Sequence, residues 1–197
     1  MVQRRRYRLG RRGEAARATR QRIVEATLGL HHEQGISGTT FRDVASQAGV
    51  APATVLRHFP RMDQLIEACG ALSEEMAPFP GPGALIGARS TAERLHRVAR
   101  AIFTWYDLVG RGLEHLQIDR RSLPEVDAWF RRIDREHRSL IGLALGRDAD
   151  DDEVTIVTAL TSPGAWQSML AAGLDSERAA RSVARHVTGS GREGDIA

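Results

Sequence analysis

The chain has 197 residues, 42% of them hydrophobic, which is enough for one or two small domains with a core. Its single cysteine excludes an internal disulfide, and no apolar run reaches the roughly 18 residues that a membrane span needs. We therefore expect a cytoplasmic protein with neither a transmembrane helix nor a secretory signal.

The formal net charge of +3 is unevenly distributed along the chain. Residues 1–61 contain twelve arginines against four acidic residues, a net charge of +8, and the remainder has a net charge of −5. This asymmetry favours a polyanion-binding head on a body with another task. The alternative is a solvated tail beside an ordinary surface. Residues 1–17 are Arg-rich without apolar periodicity, which predicts a basic, mobile arm grading into a helix.

The pattern between residues 18 and 62 predicts three short helices. From Thr19 the apolar residues recur at intervals of three and four, and Gly35 ends this first helix at a position that favours a left-handed residue. Thr40 is the expected N-cap of the second helix, with Asp43 at capping-box spacing, and Gly49 ends that helix.

The third helix follows in the segment "APATVLRHFP". Pro52 suits the first helical turn and Pro60 ends the helix, whereas Val55 and Phe59, four residues apart, are expected to face the core. The opposite face then carries Thr54, Arg57 and His58. Two short helices joined by a glycine turn predict a helix-turn-helix, whose second helix enters the DNA major groove. This pattern alone also occurs in many enzymes.

The rest of the chain reads as helices with no strand signal. One helix is predicted over "MDQLIEACGALSEEMA", before the break at "PFPGPG". Further helices are predicted over 91–109, 125–145, 151–172 and 176–187, with Pro163-Gly164 kinking or dividing the third. The expected fold class is all-α. It has an arm (1–17), a three-helix DNA-binding domain (18–62), a helical regulatory and dimerisation domain (63–188) and a flexible tail (189–197).

Residues 20–68 resemble the DNA-binding domain of the TetR family of transcriptional regulators. The resemblance rests on a combination of motifs: Gly35, Thr39-Thr40, Val44-Ala45, Gly49-Val50, Thr54 and His58-Phe59-Pro60. It implies a homodimer through the C-terminal helices that is released from a palindromic operator by a small molecule. It also implies a phosphate contact from Thr40 and recognition-helix contacts from Pro52, Ala53, Thr54, Leu56, Arg57 and His58.

Three positions depart from the family pattern. Ala51 stands where a capping serine is common, Leu56 where a tyrosine often reaches a phosphate, and Met62 where a phosphate-binding lysine is common. We expect Arg61 to take over the contact that Met62 cannot make. The arm is a second candidate for phosphate or minor-groove contact, with a solvated end as the alternative. Its arginines are Arg4, Arg5, Arg6, Arg8, Arg11 and Arg12.

The body contains all three tryptophans of the chain. Aromatic residues at helical spacing are most often core, but several together also line apolar ligand pockets. The candidate effector-binding residues are Phe103, Trp105, Trp129, Phe130 and Trp166. They predict a mostly apolar or aromatic effector. No histidine has metal-ligand spacing with Cys69, and the acidic run 148–153 fits a helix N-terminus better than a calcium loop, so no cofactor or metal is expected.

Small and apolar residues in the last two predicted helices suggest a dimer face, with intrachain packing as the alternative. The candidates are Leu170, Leu174, Ala180, Val183 and Val187. Three functions compete: a ligand-responsive repressor, a DNA-binding dimer without an effector, and an all-α enzyme. The sequence favours the first. The lack of a Gly-x-Ser-x-Gly motif and of a phosphate-cradling glycine loop argues against the enzyme.

Overall fold

The computed structural model describes residues 2–110 and 112–190, with side chains for residues 13–110 and 112–189. These residues form ten α-helices and no strand, which confirms the all-α fold class. The helices are α1 (Val2–Gln34), α2 (Phe41–Ala48), α3 (Pro52–His58), α4 (Met62–Met76), α5 (Thr91–Val109), α6 (Gly112–Asp119), α7 (Pro124–Leu145), α8 (Asp151–Leu160), α9 (Pro163–Ala171) and α10 (Ser176–Ser190). A 3-10 helix, Pro82–Leu85, lies between α4 and α5.

The chain divides into two compact units. Among the described residues, the first unit comprises residues 2–76 and 112–127, and the second comprises Ala77–Gly110 and residues 128–190. This division differs from the predicted one, because α4 and α6 both belong to the first unit. None of the described helices combines the length and the apolarity that crossing a membrane requires.

The first unit has its core among α1, α2, α3 and α4. α1 packs against α2 and α4, and α2 packs against α3. The most deeply buried apolar side chains are Ile23, Val44, Val55 and Leu65, each with none of its surface exposed. The apolar positions that the sequence pattern assigned to the core of the three-helix segment are therefore confirmed.

The start of α1 differs from the prediction. The arm was expected to be mobile, with regular helical periodicity from Thr19, but α1 begins at Val2. Apolar periodicity appears only where a helix packs against a core, whereas arginine and alanine support helix formation without it. The side chains of Arg4, Arg5 and Arg6, like those of the other arginines before Gly13, lie outside the described residues, and so do tail residues 191–197.

The second unit is built on α5, which packs against α10. On α10, Ala180 has none of its surface exposed and Val183 only 6%. The prediction of these two residues as a dimer face is therefore wrong, since the chain's own packing buries them. Of the other candidates, Leu170, Leu174 and Val187 are half-buried.

Proline divides the predicted helix 151–172 into two. α8 ends at Leu160, and Ser162 then caps α9 by accepting a hydrogen bond from the backbone N–H of Ala165 at 3.3 Å. Pro163 occupies the first turn of α9, where its missing N–H costs nothing. α6 was not predicted at all.

Candidate nucleic-acid interface

α3 presents one face to solvent and buries the other. Val55 and Phe59 anchor the helix in the core with 0% and 2% exposure. The outward face contains exposed Pro52, Ala53, Leu56 and Arg57, with Thr54 and His58 partly exposed. The side chains predicted for the recognition face are thus accessible, and Arg57 is the exposed one that can donate several hydrogen bonds.

The turn before α3 fixes its direction. Gly49 has a φ of +64°, and its N–H donates to the carbonyls of Ala45 and Ser46. Ala51 then starts α3 with its carbonyl accepting from the N–H of Thr54 at 2.8 Å, but no side chain caps the helix. The helix therefore begins through backbone geometry and Pro52 alone, as the sequence indicated.

α2 begins with the predicted capping box. The Thr40 hydroxyl accepts from the N–H of Asp43 at 3.3 Å and lies 2.6 Å from Asp43 Oδ2, to which it donates. The Thr40 N–H donates to the same carboxylate oxygen at 2.9 Å. The hydroxyl and then the backbone N–H of Thr40 hold the pKa of the Asp43 carboxyl below its usual value. The role that the geometry gives Thr40 is therefore capping, and a phosphate would have to replace Asp43 as its acceptor.

Arg61 follows α3 and is exposed, but it already has an acidic partner. Its Nε donates to Asp63 Oδ1 at 3.0 Å, and its terminal nitrogen donates to the second carboxylate oxygen. A phosphate at this position would compete with the Asp63 carboxylate for the same guanidinium.

Arg20 of α1 was not among the predicted contacts. Its guanidinium carbon lies 4.7 Å from the centroid of the Phe59 ring, so a cation is held beside the C-terminal end of α3. No local spacing reveals this pair, because 39 positions separate the two residues. Arg42, in the first turn of α2, is exposed and was also not predicted.

The five candidate effector residues are part of one aromatic cluster in the second unit. Trp105 stacks on Trp129 with ring centroids 6.3 Å apart, and Trp129 meets Phe130 edge to face at 5.0 Å. Tyr106 joins the rest, with centroid distances of 5.5 Å to Trp105, 5.5 Å to Trp166 and 6.3 Å to Phe103. Four of the five candidates are buried, and Trp129 is partly buried.

Most polar groups of this cluster have partners. The Trp105 indole N–H donates to the carbonyl of Ala77 at 2.9 Å, and that of Trp166 donates to the Ser176 hydroxyl at 3.1 Å. His137 lies 2.7 Å from the Thr161 hydroxyl, and burial lowers its pKa to about 4, so its ring is neutral at physiological pH. The buried indole nitrogen of Trp129 is the exception within the described residues.

A cleft of about 330 Å³ lies beside the cluster in the same unit. Its lining residues are Phe79, Pro80, Gly81, Pro82, Arg135, Glu136, Ser139, Leu140 and Leu143. None of the five candidates lines it, although the Phe79 ring meets that of Trp105 at 5.1 Å. Among the residues with described side chains, no group of histidine, cysteine or acidic residues is arranged to hold a metal ion.

Comparisons with known proteins concern both the helix-turn-helix segment and the whole fold. Residues 23–69 match the family model described as bacterial regulatory proteins, tetR family. The HTH-type transcriptional regulator AcrR of Shigella flexneri is 32% identical over 77 residues, which cover 34% of this chain and 36% of that relative. The match therefore spans little more than a third of the relative's length.

Two solved structures extend the likeness over most of the chain. A transcriptional regulator from Rhodococcus sp. Rha1 matches with a TM-score of 0.66 and 16% identity, covering 90% of this chain and 98% of its own. The multidrug binding protein EbrR, solved in complex with imidazole, matches with a TM-score of 0.59 and 24% identity over 85% of this chain and 88% of its own. These low identities show the fold. The family match assigns residues 23–69, the helix-turn-helix segment, to the tetR family of bacterial regulatory proteins.

Proposed function

We propose that the protein is a DNA-binding transcriptional repressor of the cytoplasm that uses α3 as its recognition helix. The observation that carries this proposal is the division of α3 into two faces. Val55 and Phe59 fix the helix from beneath, and Arg57 extends from the opposite, solvent-exposed side. A helix of this kind fits the major groove, and an arginine can pair with the O6 and N7 atoms of a guanine.

The other residues of this surface divide into two roles. The residues that share the outward side of α3 would meet the edges of bases or the methyl groups of bases. They are Pro52, Ala53, Thr54 and His58. Arg61 would contact a phosphate by exchanging its Asp63 partner, and Thr40 would do so through its hydroxyl. Beyond the residues with described side chains, Arg4, Arg5 and Arg6 add positive charge that a phosphate backbone attracts.

A homodimer is part of the proposal, because one short recognition helix binds weakly and two copies match a palindromic operator. The C-terminal helices are the proposed interface. Exposed surface remains on Leu170 of α9, on Leu174 between α9 and α10, and on Val187 of α10, whereas Ala180 and Val183 are excluded by their burial in the chain.

The proposed effector is a small, largely apolar molecule that releases the protein from its operator. Support comes from the aromatic cluster and from EbrR, a protein of the same fold that is described as multidrug binding. A second candidate is a dimeric regulator without an effector. It is favoured by the burial of four of the five candidate residues, whose rings contact one another as a packed core does.

The decisive experiment is selection of bound duplexes from a random DNA pool. Enrichment of a palindrome would support DNA binding and the dimer together, and failure to enrich any sequence at low salt would contradict the proposal. The recovered operator then serves in a release assay with apolar and aromatic compounds. Release of the protein from the operator, together with a raised melting temperature of the protein, would support the effector. Unchanged operator binding across the compound library would favour the second candidate.

A further inference from the structure

α6 lies on the C-terminal end of α1 through one face of the helix. Gly112, His115 and Asp119 are three and four positions apart and therefore share that face. A Cβ on Gly112 would come within 2.6 Å of the His32 ring, and His115 Nδ1 lies 3.2 Å from the carbonyl oxygen of His32. The face thus follows the last turn of α1 toward the turn that precedes α2.

Asp119, at the end of this face, binds the backbone of that turn. Its Oδ2 accepts a hydrogen bond from the Ile36 N–H at 2.7 Å, and its Oδ1 accepts one from the Ser37 N–H at 3.2 Å. Asp119 is only 4% exposed, and Ile36 only 5%. A buried carboxylate with two backbone donors is a strong and directional contact, because hydrogen bonds to charged groups exceed those between neutral groups in strength.

The turn itself is shaped to admit the carboxylate. Gly35 has a φ of +79°, and a Cβ at that position would lie 3.2 Å from Asp119 Oδ2. The turn continues into Thr39, whose hydroxyl donates to the Gly35 carbonyl at 2.7 Å, and then into Thr40, the N-cap of α2. Position and direction of α2, and of α3 packed against it, are therefore set within five residues of the contact with Asp119.

We propose that Asp119 is a positioning residue for DNA recognition, which holds the turn between α1 and α2 and so sets the placement of the recognition helix. The proposal rests on the proposed DNA-binding function. Asp119 touches no DNA in this account: it acts through the N–H groups of Ile36 and Ser37. Losing it changes the placement of the whole of α3, and all base contacts weaken together.

Positioning by Asp119 and a simple effect of its charge predict changes of DNA affinity in opposite directions. Removing a negative charge from a DNA-binding protein raises its affinity for DNA, because phosphates are negative. Asp119→Asn removes that charge and leaves a single amide oxygen for the Ile36 N–H. If positioning dominates, the affinity falls although the charge change acts in the opposite direction. A fall of roughly tenfold would correspond to about 1.4 kcal/mol.

The test measures operator affinity for Asp119→Asn and Asp119→Ala, with protein concentrations corrected for the folded fraction. Two controls address the two simpler effects of the substitutions, which are a change of charge and a loss of stability. Glu33→Gln removes an exposed negative charge near the end of α1, and Val157→Ala weakens a core position in the second unit. The operator is the palindrome recovered with the wild-type protein, so failure of the wild type to bind any duplex would contradict the proposed function.

We expect a graded loss, about tenfold for Asn and larger for Ala, that is equal across operator variants at every base position. Glu33→Gln should retain or raise the affinity. Val157→Ala should lower the stability of the protein without changing its affinity for the operator. Should Ala prevent folding, Asn carries the test alone. Wild-type affinity in Asp119→Asn, a loss that Val157→Ala matches at equal stability, or a loss confined to one base position would overturn the inference.

Discussion

Arg57 is the exposed arginine of α3, and its guanidinium can form a bidentate pair with guanine. Arg57→Ala should cost about 1–3 kcal/mol of binding free energy and relax the preference at one base position. Binding titrations against an operator series with every single-base change measure both quantities. Arg185→Ala, at an exposed position of α10, serves as the control and should leave the affinity unchanged. A uniform loss across the series would assign Arg57 to a phosphate instead.

Ala51 leaves the N-terminus of α3 without a side-chain cap, although its φ of −69° and ψ of 145° already suit a capping residue. Ala51→Ser supplies an acceptor for a free N–H of the first turn and should raise the free energy of unfolding by about 1 kcal/mol. Urea unfolding measures the gain. Ala53→Ser, the same replacement inside the first turn, is the control and should bring no gain. Equal effects of both substitutions would contradict the capping argument.

Local chemistry explains why the caps and turns of the head could be predicted from the sequence. The Thr40–Asp43 box, the left-handed glycines and the uncapped Ala51 each depend on residues within four positions of one another. The partner of Arg20 could not be found this way, because the ring of Phe59 reaches it only through the packing of α1 against the rest of the head.

The turns before α2 and α3 have a similar backbone conformation at their glycines but differ in how much space surrounds it. Gly35 and Gly49 both have positive φ values, +79° and +64°, which disfavour a side chain. A Cβ on Gly49 would meet nothing within 4 Å, whereas one on Gly35 would press on the Asp119 carboxylate at 3.2 Å. Gly49→Ala should therefore destabilise the protein by about 1 kcal/mol from backbone strain alone.

Gly35→Ala should destabilise the protein more than Gly49→Ala, because the strain is joined by the displacement of Asp119. Urea unfolding of the two variants side by side checks the order. Adding Asp119→Ala to each variant checks the cause, since the extra cost at Gly35 should shrink once the carboxylate is gone. An equal cost at both glycines would refute the role of Asp119 in the difference.

Periodicity predicted the long helices but missed α6. This helix has only eight residues, and its buried positions include Gly112 and Asp119, which carry no apolar signal. Burial there comes with the close approach of Gly112 to His32 and with the hydrogen bonds of Asp119, and both depend on a partner 80 or more residues away. Leu113 is the one buried apolar residue of α6, which is too little for a pattern of apolar residues to define a helix.

The aromatic residues show a different limit of sequence reasoning. Their spacing placed Trp105, Trp129 and Trp166 in the helical body, where they do meet in one cluster through Tyr106. Whether such a cluster is core or pocket depends on how closely the rings fill the space between helices. Periodicity carries no information on that filling, because both arrangements require the same residues on the same helix faces.

Over the whole chain, the uneven charge should make the proposed operator binding sensitive to salt. Each phosphate neutralised by a basic residue contributes about 0.9 to the slope of log affinity against log salt concentration. Six of the twelve arginines in residues 1–61 precede Gly13. If they contact phosphates, replacing Arg4, Arg5 and Arg6 with glutamine should weaken binding and flatten the slope by up to about 2.7. Titrations at several salt concentrations measure it.

Glutamine suits this test because its helix propensity is close to that of arginine, so the substitutions change charge while preserving the preference of α1 for helix. A matched triple substitution to glutamine at exposed Arg121, Arg147 and Arg185 removes the same charge elsewhere. Long-range attraction alone would make the two triple variants behave alike, whereas direct phosphate contact requires the slope to fall in the first only. An unchanged slope in the Arg4, Arg5 and Arg6 variant would return these residues to the role of a solvated end.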